Sequence, residues 1–133
     1  MIADVADTHT ALWYLFNDPR LSIAAGDFID QAAESGSQIV VSSISLAEIV
    51  YLIEKKRLPE NAYVDLKGAL DDPDHVFKES PFTVEIVDAM WQVPRADVPD
   101  MPDRIVAPTA TYFGTPVISR DGRIRASNGR TIW

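Results

Sequence analysis

Residues 39–53 read Ile39-Val40-Val41-Ser42-Ser43-Ile44-Ser45-Leu46-Ala47-Glu48-Ile49-Val50-Tyr51-Leu52-Ile53, and their hydrophobic period changes part-way along. Ile39-Val40-Val41 is a compact β-branched run of the kind that forms a buried strand. Residues 44–57 are helical in pattern, with Leu46, Ile49, Val50 and Ile53 at the i, i+3, i+4, i+7 spacing of one buried stripe. A strand that runs straight into a helix predicts parallel pairing through a crossover, provided the alternation continues.

It continues in both directions. Toward the N-terminus, Ile2 to Ala6 is a strand, apolar apart from Asp4. Leu12 to Phe16 is a short helix closed by Asn17-Asp18-Pro19, and Ser22 caps a helix that runs to the stop signal Gly36. Toward the C-terminus, a helix covers Glu60 to Leu70, and Asp71-Asp72-Pro73-Asp74 is a solvated loop before a short strand near Val76-Phe77-Lys78. Thr83 to Gln92 is helical, a polar loop runs through Asp97, and a helix starts at Pro102 and ends at Gly114. Pro116 to Ser119 and Thr131 to Trp133 are further strands. The expected fold is α/β, a three-layer α/β/α sandwich around a central, mainly parallel sheet, with residues 1–133 as a single domain.

Composition narrows the chemistry. There are 133 residues, 47% hydrophobic and 24% charged, with no run of eighteen apolar residues and no basic-then-apolar leader, so a cytoplasmic protein with no membrane association is expected. The absence of cysteine excludes disulfides, thiolate zinc sites and cysteine nucleophiles. Two histidines, His9 and His75, are too few for a histidine-rich metal site, so a bound metal would need oxygen ligands. Twelve basic and 20 acidic residues leave a net charge of −8, which by bulk electrostatics disfavours nucleic acid. The distribution is uneven, however: Arg120, Arg123, Arg125 and Arg130 face Asp121 alone in the last segment. Lys55-Lys56-Arg57 suits the C-terminus of the helix it follows.

Four acids stand where open α/β sheets bind ligands, at strand ends and in the first turns of the helices that follow. They are Asp7, Glu48, Asp103 and Asp121, and each also has a local explanation. Asp7-Thr8 can cap a helix, and Ser45-Leu46-Ala47-Glu48 fits a capping box. Asp103 follows Pro102 at a helix start, where the dipole favours an acid. Arg120-Asp121-Gly122-Arg123 can be a hairpin turn between residues 117–119 and 123–125. Their joint placement weighs the other way. Glu48 points away from the apolar stripe, yet has Ile44, Tyr51 and Leu52 one turn away, and a buried carboxylate is costly unless paired or bound to a cation. Converging carboxylates raise one another's pKa values unless a divalent cation supplies the charge. Oxygen-only ligands suit Mg²⁺ or Mn²⁺ and metal-assisted phosphodiester hydrolysis.

The order Asp7-Thr8-His9 with Leu12-Trp13, Ser42 to Ile49, Pro102-Asp103-Arg104-Ile105-Val106-Ala107 and Pro116-Val117-Ile118-Ser119-Arg120-Asp121 resembles the PIN domain family. More narrowly, it is similar to the VapC toxins of bacterial type II toxin–antitoxin pairs, over essentially the whole chain. The resemblance implies a Mg²⁺- or Mn²⁺-dependent endoribonuclease acting on cellular RNA. It also implies inhibition by a cognate VapB-like antitoxin inserted into the active-site groove, and a homodimer. Asp7, Glu48, Asp103 and Asp121 take the places of the family's acidic quartet as catalytic metal ligands, with Thr8 and Ser43 at small polar positions beside it. Three features depart from the pattern. Asp4 interrupts the first strand, on the face opposite Val5 and Asp7, and is expected at a strand fringe rather than as a fifth ligand. Pro108 falls inside the helix of Asp103 and should kink it. Gly122 loosens the segment after Asp121.

Other residues have weaker claims. His9 is not needed as a base if metal activates the water. Arg104 is a candidate to hold a phosphate or pair with an acid, Asp100 is a helix cap, and Asp97 lies in the loop before it. Trp13, Tyr14, Phe16, Tyr51 and Trp91 are expected in the core or an interface. Two alternatives stay open. A phosphotransferase with Asp7 as nucleophile would want a second aspartate where His9 stands, and a partner lysine. A non-catalytic PIN-like interaction module would use all four acids as caps.

Overall fold

The computed structural model describes residues 1–94, 101–121 and 131–133. Strands β1 (Ile2–Ala6), β2 (Gln38–Ser42), β3 (Phe77–Ser80), β4 (Val117–Ile118) and β5 (Thr131–Ile132) form one sheet in the order β3-β2-β1-β4-β5. Every pairing is parallel, as the strand-helix alternation predicts. The helices are α1 (Thr8–Leu15), α2 (Ile23–Ser35), α3 (Ser43–Glu54), α4 (Asn61–Asp71), α5 (Val84–Met90) and α6 (Asp103–Phe113). None of the described helices is long and apolar enough to cross a membrane.

The strand period of two sorts the core into two layers. Ala6, Ile39, Val41 and Ile118 point into one cluster with Leu12 of α1, Ile29 of α2, Ile49 of α3 and Leu66 of α4. Their strand neighbours Val5, Val40 and Val117 point the opposite way, against Val106, Ala107 and Ala110 of α6. The buried sheet between two helical layers is the expected sandwich.

Local chemistry accounts for the starts of the first three helices and the end of α2. The Ser22 hydroxyl accepts from Ala25 N at 3.1 Å, and α2 stops at Gly36, whose φ of +76° is open to glycine without a Cβ penalty. Helix α1 begins at Thr8, earlier than the apolar run at Leu12, because Asp7 caps it by accepting from Thr10 N at 2.9 Å. Helix α3 is capped by Ser42, which accepts from Ile44 N at 3.2 Å. Ser45 is therefore inside the helix, and the capping box with Glu48 does not form. Within α3, Ile49 is fully buried but Val50 is 42% exposed, so the apolar stripe is narrower than its spacing predicts.

Helix α6 runs through Pro108, whose ring nitrogen cannot donate to the carbonyl of Arg104. The Thr109 hydroxyl donates to the Ile105 carbonyl at 2.6 Å in the same turn. Asp4, expected at a strand fringe, is instead wholly buried, with Oδ1 accepting from Val5 N at 2.7 Å. The β1–β2 register is also irregular between Ile2 and Asp4. Trp13 is buried and Tyr14 packs on the core, but Phe16, Tyr51 and Trp91 are at the surface, Trp91 at 89% exposure.

Candidate active site

The strand order places β1 beside β4, yet the chain reaches them from opposite sides. It moves outward from β1 through β2 to β3, then returns to the other flank of β1. At such a switch point the segments leaving the two strands diverge and open a crevice at their carboxyl ends. Asp7 leaves β1 into that crevice, and Ser119-Arg120-Asp121 leave β4 into it. The result is an open cleft of about 450 Å³ lined by Asp7, Glu48, Asp103 and Asp121. Four residues from distant parts of the chain are thereby brought to one cavity.

Asp7 is held through both carboxylate oxygens. Its Oδ1 takes the Thr10 N–H and its Oδ2 takes the Ser119 hydroxyl, while each oxygen retains lone-pair capacity toward the cleft. Ser119 in turn accepts from Asp121 N at 2.9 Å, so one buried hydroxyl ties the first acid to the backbone of the fourth. Asp7 N also donates to the Ile118 carbonyl at 3.2 Å, and Thr10 Oγ1 donates to that same carbonyl at 3.0 Å. Asp7 is thus both a helix cap and a cleft residue. The two readings of its position are compatible, because a cap uses only one carboxylate oxygen.

Glu48 lies one turn into α3 and is half-buried rather than enclosed, since its side of the helix faces the cleft. Ser45, on the preceding turn, is buried and accepts from Thr8 Oγ1 at 2.8 Å, which locks the start of α1 to α3. Ser43 acts away from the acids, where its hydroxyl accepts from Phe82 N at 3.1 Å and holds the segment after β3. Asp103 opens α6 and reaches the cleft from the opposite helical layer. Arg104 turns toward α5, donating to the carbonyls of Met90 at its last residue at 3.4 Å and of Val93 just after it at 3.1 Å. Through these bonds it braces the end of that helix.

The cationic side of the cleft centres on Trp13. Arg20 and Arg120 both lie over its indole, at 5.1 and 5.2 Å from the ring centroid, and His9 and Trp133 pack on it at 5.7 and 5.9 Å. Arg20 is also held by Asp18 in a bidentate pair, through Nε at 3.0 Å and NH2 at 2.8 Å. That guanidinium holds the Asp18 carboxyl down at a pKa of about 2. Arg123, Arg125, Arg130, the hairpin turn through Gly122, Asp97 and Asp100 lie outside the described residues. Within them, β4 has both edges taken, by β1 and β5.

The donor set suits a hard divalent cation: four carboxylates outnumber the single imidazole of His9, and no lysine lines the cleft among the described residues. Among those residues, no three acidic or histidine side chains are gathered closely enough to form a cation cage. The acids line the walls of the cleft instead of closing on a point. This arrangement fits Mg²⁺, which keeps several waters and takes one or two carboxylates together with substrate phosphate.

Ser119, Ser45 and the Trp13 hub were not singled out by the sequence as parts of the site. Ser119 had a signal in retrospect, as a small polar residue at the end of a buried strand, two positions from an acid.

Residues 5–128 match the family model for the PIN domain, and the chain belongs to that family. It is similar over its whole length to Ribonuclease VapC22 of Mycobacterium tuberculosis, at 28% identity over 136 residues and with 100% of both chains covered. Among solved structures it resembles a chain of VapBC2 from Rickettsia felis bound to a DNA fragment from their promoter, with a TM-score of 0.70, 15% identity and 100% of both chains covered. It also resembles a chain of a toxin-antitoxin complex from Klebsiella pneumoniae, with a TM-score of 0.63, 20% identity, and 98% of this chain and 97% of the other covered. With these two structures the likeness is one of fold.

Proposed function

We propose that this PIN-domain protein is a divalent-metal-dependent endoribonuclease, the toxin of a type II toxin–antitoxin pair. One observation carries the reading: four acids far apart in sequence line a single cleft at the topological switch point of a parallel sheet. The name of the full-length relative, a ribonuclease, and the toxin–antitoxin origin of a structural neighbour support the activity and the class.

Asp7, Glu48, Asp103 and Asp121 would hold Mg²⁺ or Mn²⁺. When bound, the cation supplies Lewis acidity at the phosphodiester and favours ionisation of an attacking water. The chain's own residues prepare for this. Thr10 N–H and the Ser119 hydroxyl fix the Asp7 carboxylate in orientation, so little reorganisation is needed when ligands arrive. The Thr8–Ser45 bond sets the spacing between the helix bearing Glu48 and the strand end bearing Asp7. A lysine partner for an aspartyl-phosphate is missing from the described cleft, so nothing there favours phosphotransfer. A VapB-like antitoxin is the partner in this reading, inhibiting by occupying the cleft.

The test is incubation of the purified chain with total cellular RNA in Mg²⁺, Mn²⁺ or EDTA. Discrete fragments are expected in either metal, and should be lost in EDTA and in folded Asp7→Asn and Asp103→Asn variants. Cleavage that survives EDTA, or survives both substitutions, would remove the metal-dependent reading. A folded, antitoxin-free chain that cleaves no RNA in either metal would favour the interaction module.

A further inference from the structure

We propose that Arg120 is the residue that grips the RNA backbone at this cleft, through a phosphate flanking the bond to be cut. The inference rests on the ribonuclease reading and extends it to a residue outside the acidic quartet.

A polyanion approaching four carboxylates needs a cationic contact. Of the described residues, only Arg20 and Arg120 bring a permanent positive charge to the cleft lining. They are not equivalent. Arg20 spends its guanidinium on Asp18 through two hydrogen bonds, so the pair presents almost no net charge. Among the described residues Arg120 has no ion pair, and its guanidinium lies over the Trp13 ring.

Its position is also fixed at both ends. The backbone on either side belongs to Ser119, which donates to Asp7, and to Asp121, whose N–H returns to Ser119. At the far end the guanidinium lies over the indole ring, and Trp13 is itself packed against His9 and Trp133. Resting on a π face leaves the N–H edge of the guanidinium unused, and that edge is what binds a phosphate in bidentate fashion. The side chain is exposed, so a ligand can reach it without rearrangement. Trp13 is too buried to stack on a base, which assigns it to positioning Arg120.

The experiment measures binding of a fluorescein-labelled single-stranded oligoribonucleotide of mixed sequence to the full chain in Mg²⁺. An Asp103→Asn background suppresses cleavage, and NaCl is varied from low to moderate concentration. Arg120→Gln is expected to weaken binding about tenfold, as loss of a charged hydrogen-bond pair should. It should also flatten the slope of log K against log salt by about 0.7, the share of one phosphate contact on a single strand. Arg120→Lys, which keeps the charge, should keep the slope. Lys67→Gln removes the same charge outside the cleft and should leave the slope unchanged.

Equal affinity and slope in the parent and a folded Arg120→Gln variant would overturn the assignment while leaving the ribonuclease reading intact. Loss of slope in Arg120→Lys as well would overturn it in favour of a packing role on Trp13. A parent that does not bind RNA would overturn both the assignment and the reading beneath it.

Discussion

Ser119 joins two acids that lie far apart in the chain: it donates to Asp7 Oδ2 across 112 residues and accepts from Asp121 N two residues ahead. The bond exists because β1 and β4 are parallel neighbours in register, with Ala6 opposite Ile118, so their carboxyl ends emerge side by side. A buried hydroxyl between a carboxylate and a backbone N–H satisfies both groups and fixes the mouth of the cleft.

Ser119→Ala should therefore cost about 2 kcal/mol of stability, the range for a buried hydrogen bond to a charged group. It should also lower RNA cleavage, because Asp7 loses one of its two orienting donors. Urea denaturation and a cleavage assay on the same preparation measure the two effects. Unchanged values in both would show that the hydroxyl neither stabilises the fold nor orients Asp7.

The two roles of Asp7 can be separated by chemistry. Asn caps a helix about as well as Asp but puts an amide NH2 where Oδ2 accepts the Ser119 hydroxyl, so Asp7→Asn should lose part of the about 2 kcal/mol of that bond, and Asp7→Ala, which also loses the cap, about 1 kcal/mol more. Both should abolish cleavage, since neither leaves an anionic oxygen at this position of the cleft. An active Asp7→Asn variant would assign Asp7 to capping alone.

Thr8 and Ser45 should behave as a coupled pair. Thr8→Val or Ser45→Ala leaves one buried hydroxyl without its partner, at about 1–2 kcal/mol each, while the double variant should cost less than the sum. Thermal or urea unfolding of the four proteins completes the cycle. Additive losses would mean that the two hydroxyls act independently.

Metal binding should register as stability. If Mn²⁺ binds the folded chain alone, a concentration 100 times its Kd adds about 2.7 kcal/mol and raises Tm by several degrees. The shift should vanish in an Asp7→Asn/Asp103→Asn variant. The wild type holding its Tm in millimolar Mn²⁺ would mean that no such site assembles without substrate.

His75 should make the fold sensitive to mild acid. Burial holds its pKa below the ordinary 6.5, opposed by nearby Asp72, and its Nδ1 accepts from Phe77 N at 3.0 Å at the start of β3. Nδ1 can accept only while unprotonated. A histidine with a depressed folded pKa takes up its proton more readily when unfolded, so stability is lost as pH falls below 6.5 and levels off once the folded group has titrated. Urea midpoints at pH 7.5 and pH 5 should differ less in His75→Asn than in the wild type. An equal pH dependence in both would place the sensitivity elsewhere.

Much of the fold was legible because its signals are local. Ser22 and Gly36 bracket α2 in a cap and a left-handed stop that depend on residues within one turn, and Gly114 ends α6 the same way. The β-branched run Ile39-Val40-Val41 favours a strand, and it lies in β2. Local signals failed where several residues could fill the same role. Ser42 and Ser45 can each cap a helix, and the choice falls to Ser42 because β2 stays paired with β3 as far as Ser42 opposite Ser80. Val50 has an apolar side chain at a stripe position, but the packing of α3 against its neighbours leaves it exposed. Asp4 breaks an apolar strand, yet it is buried, beside an irregularity of the β1–β2 register.

The four acids could be named from their places at strand ends and helix starts, which are properties of the linear pattern. That Asp7 and Asp121 share a hydroxyl, that Glu48 faces the same cleft as Asp103, and that Arg120 lies over Trp13 are relationships between segments dozens of residues apart. Periodicity and capping act within a turn or a strand and are written residue by residue. Strand order and helix packing arise from burying all the apolar faces together, and that collective step created the cleft.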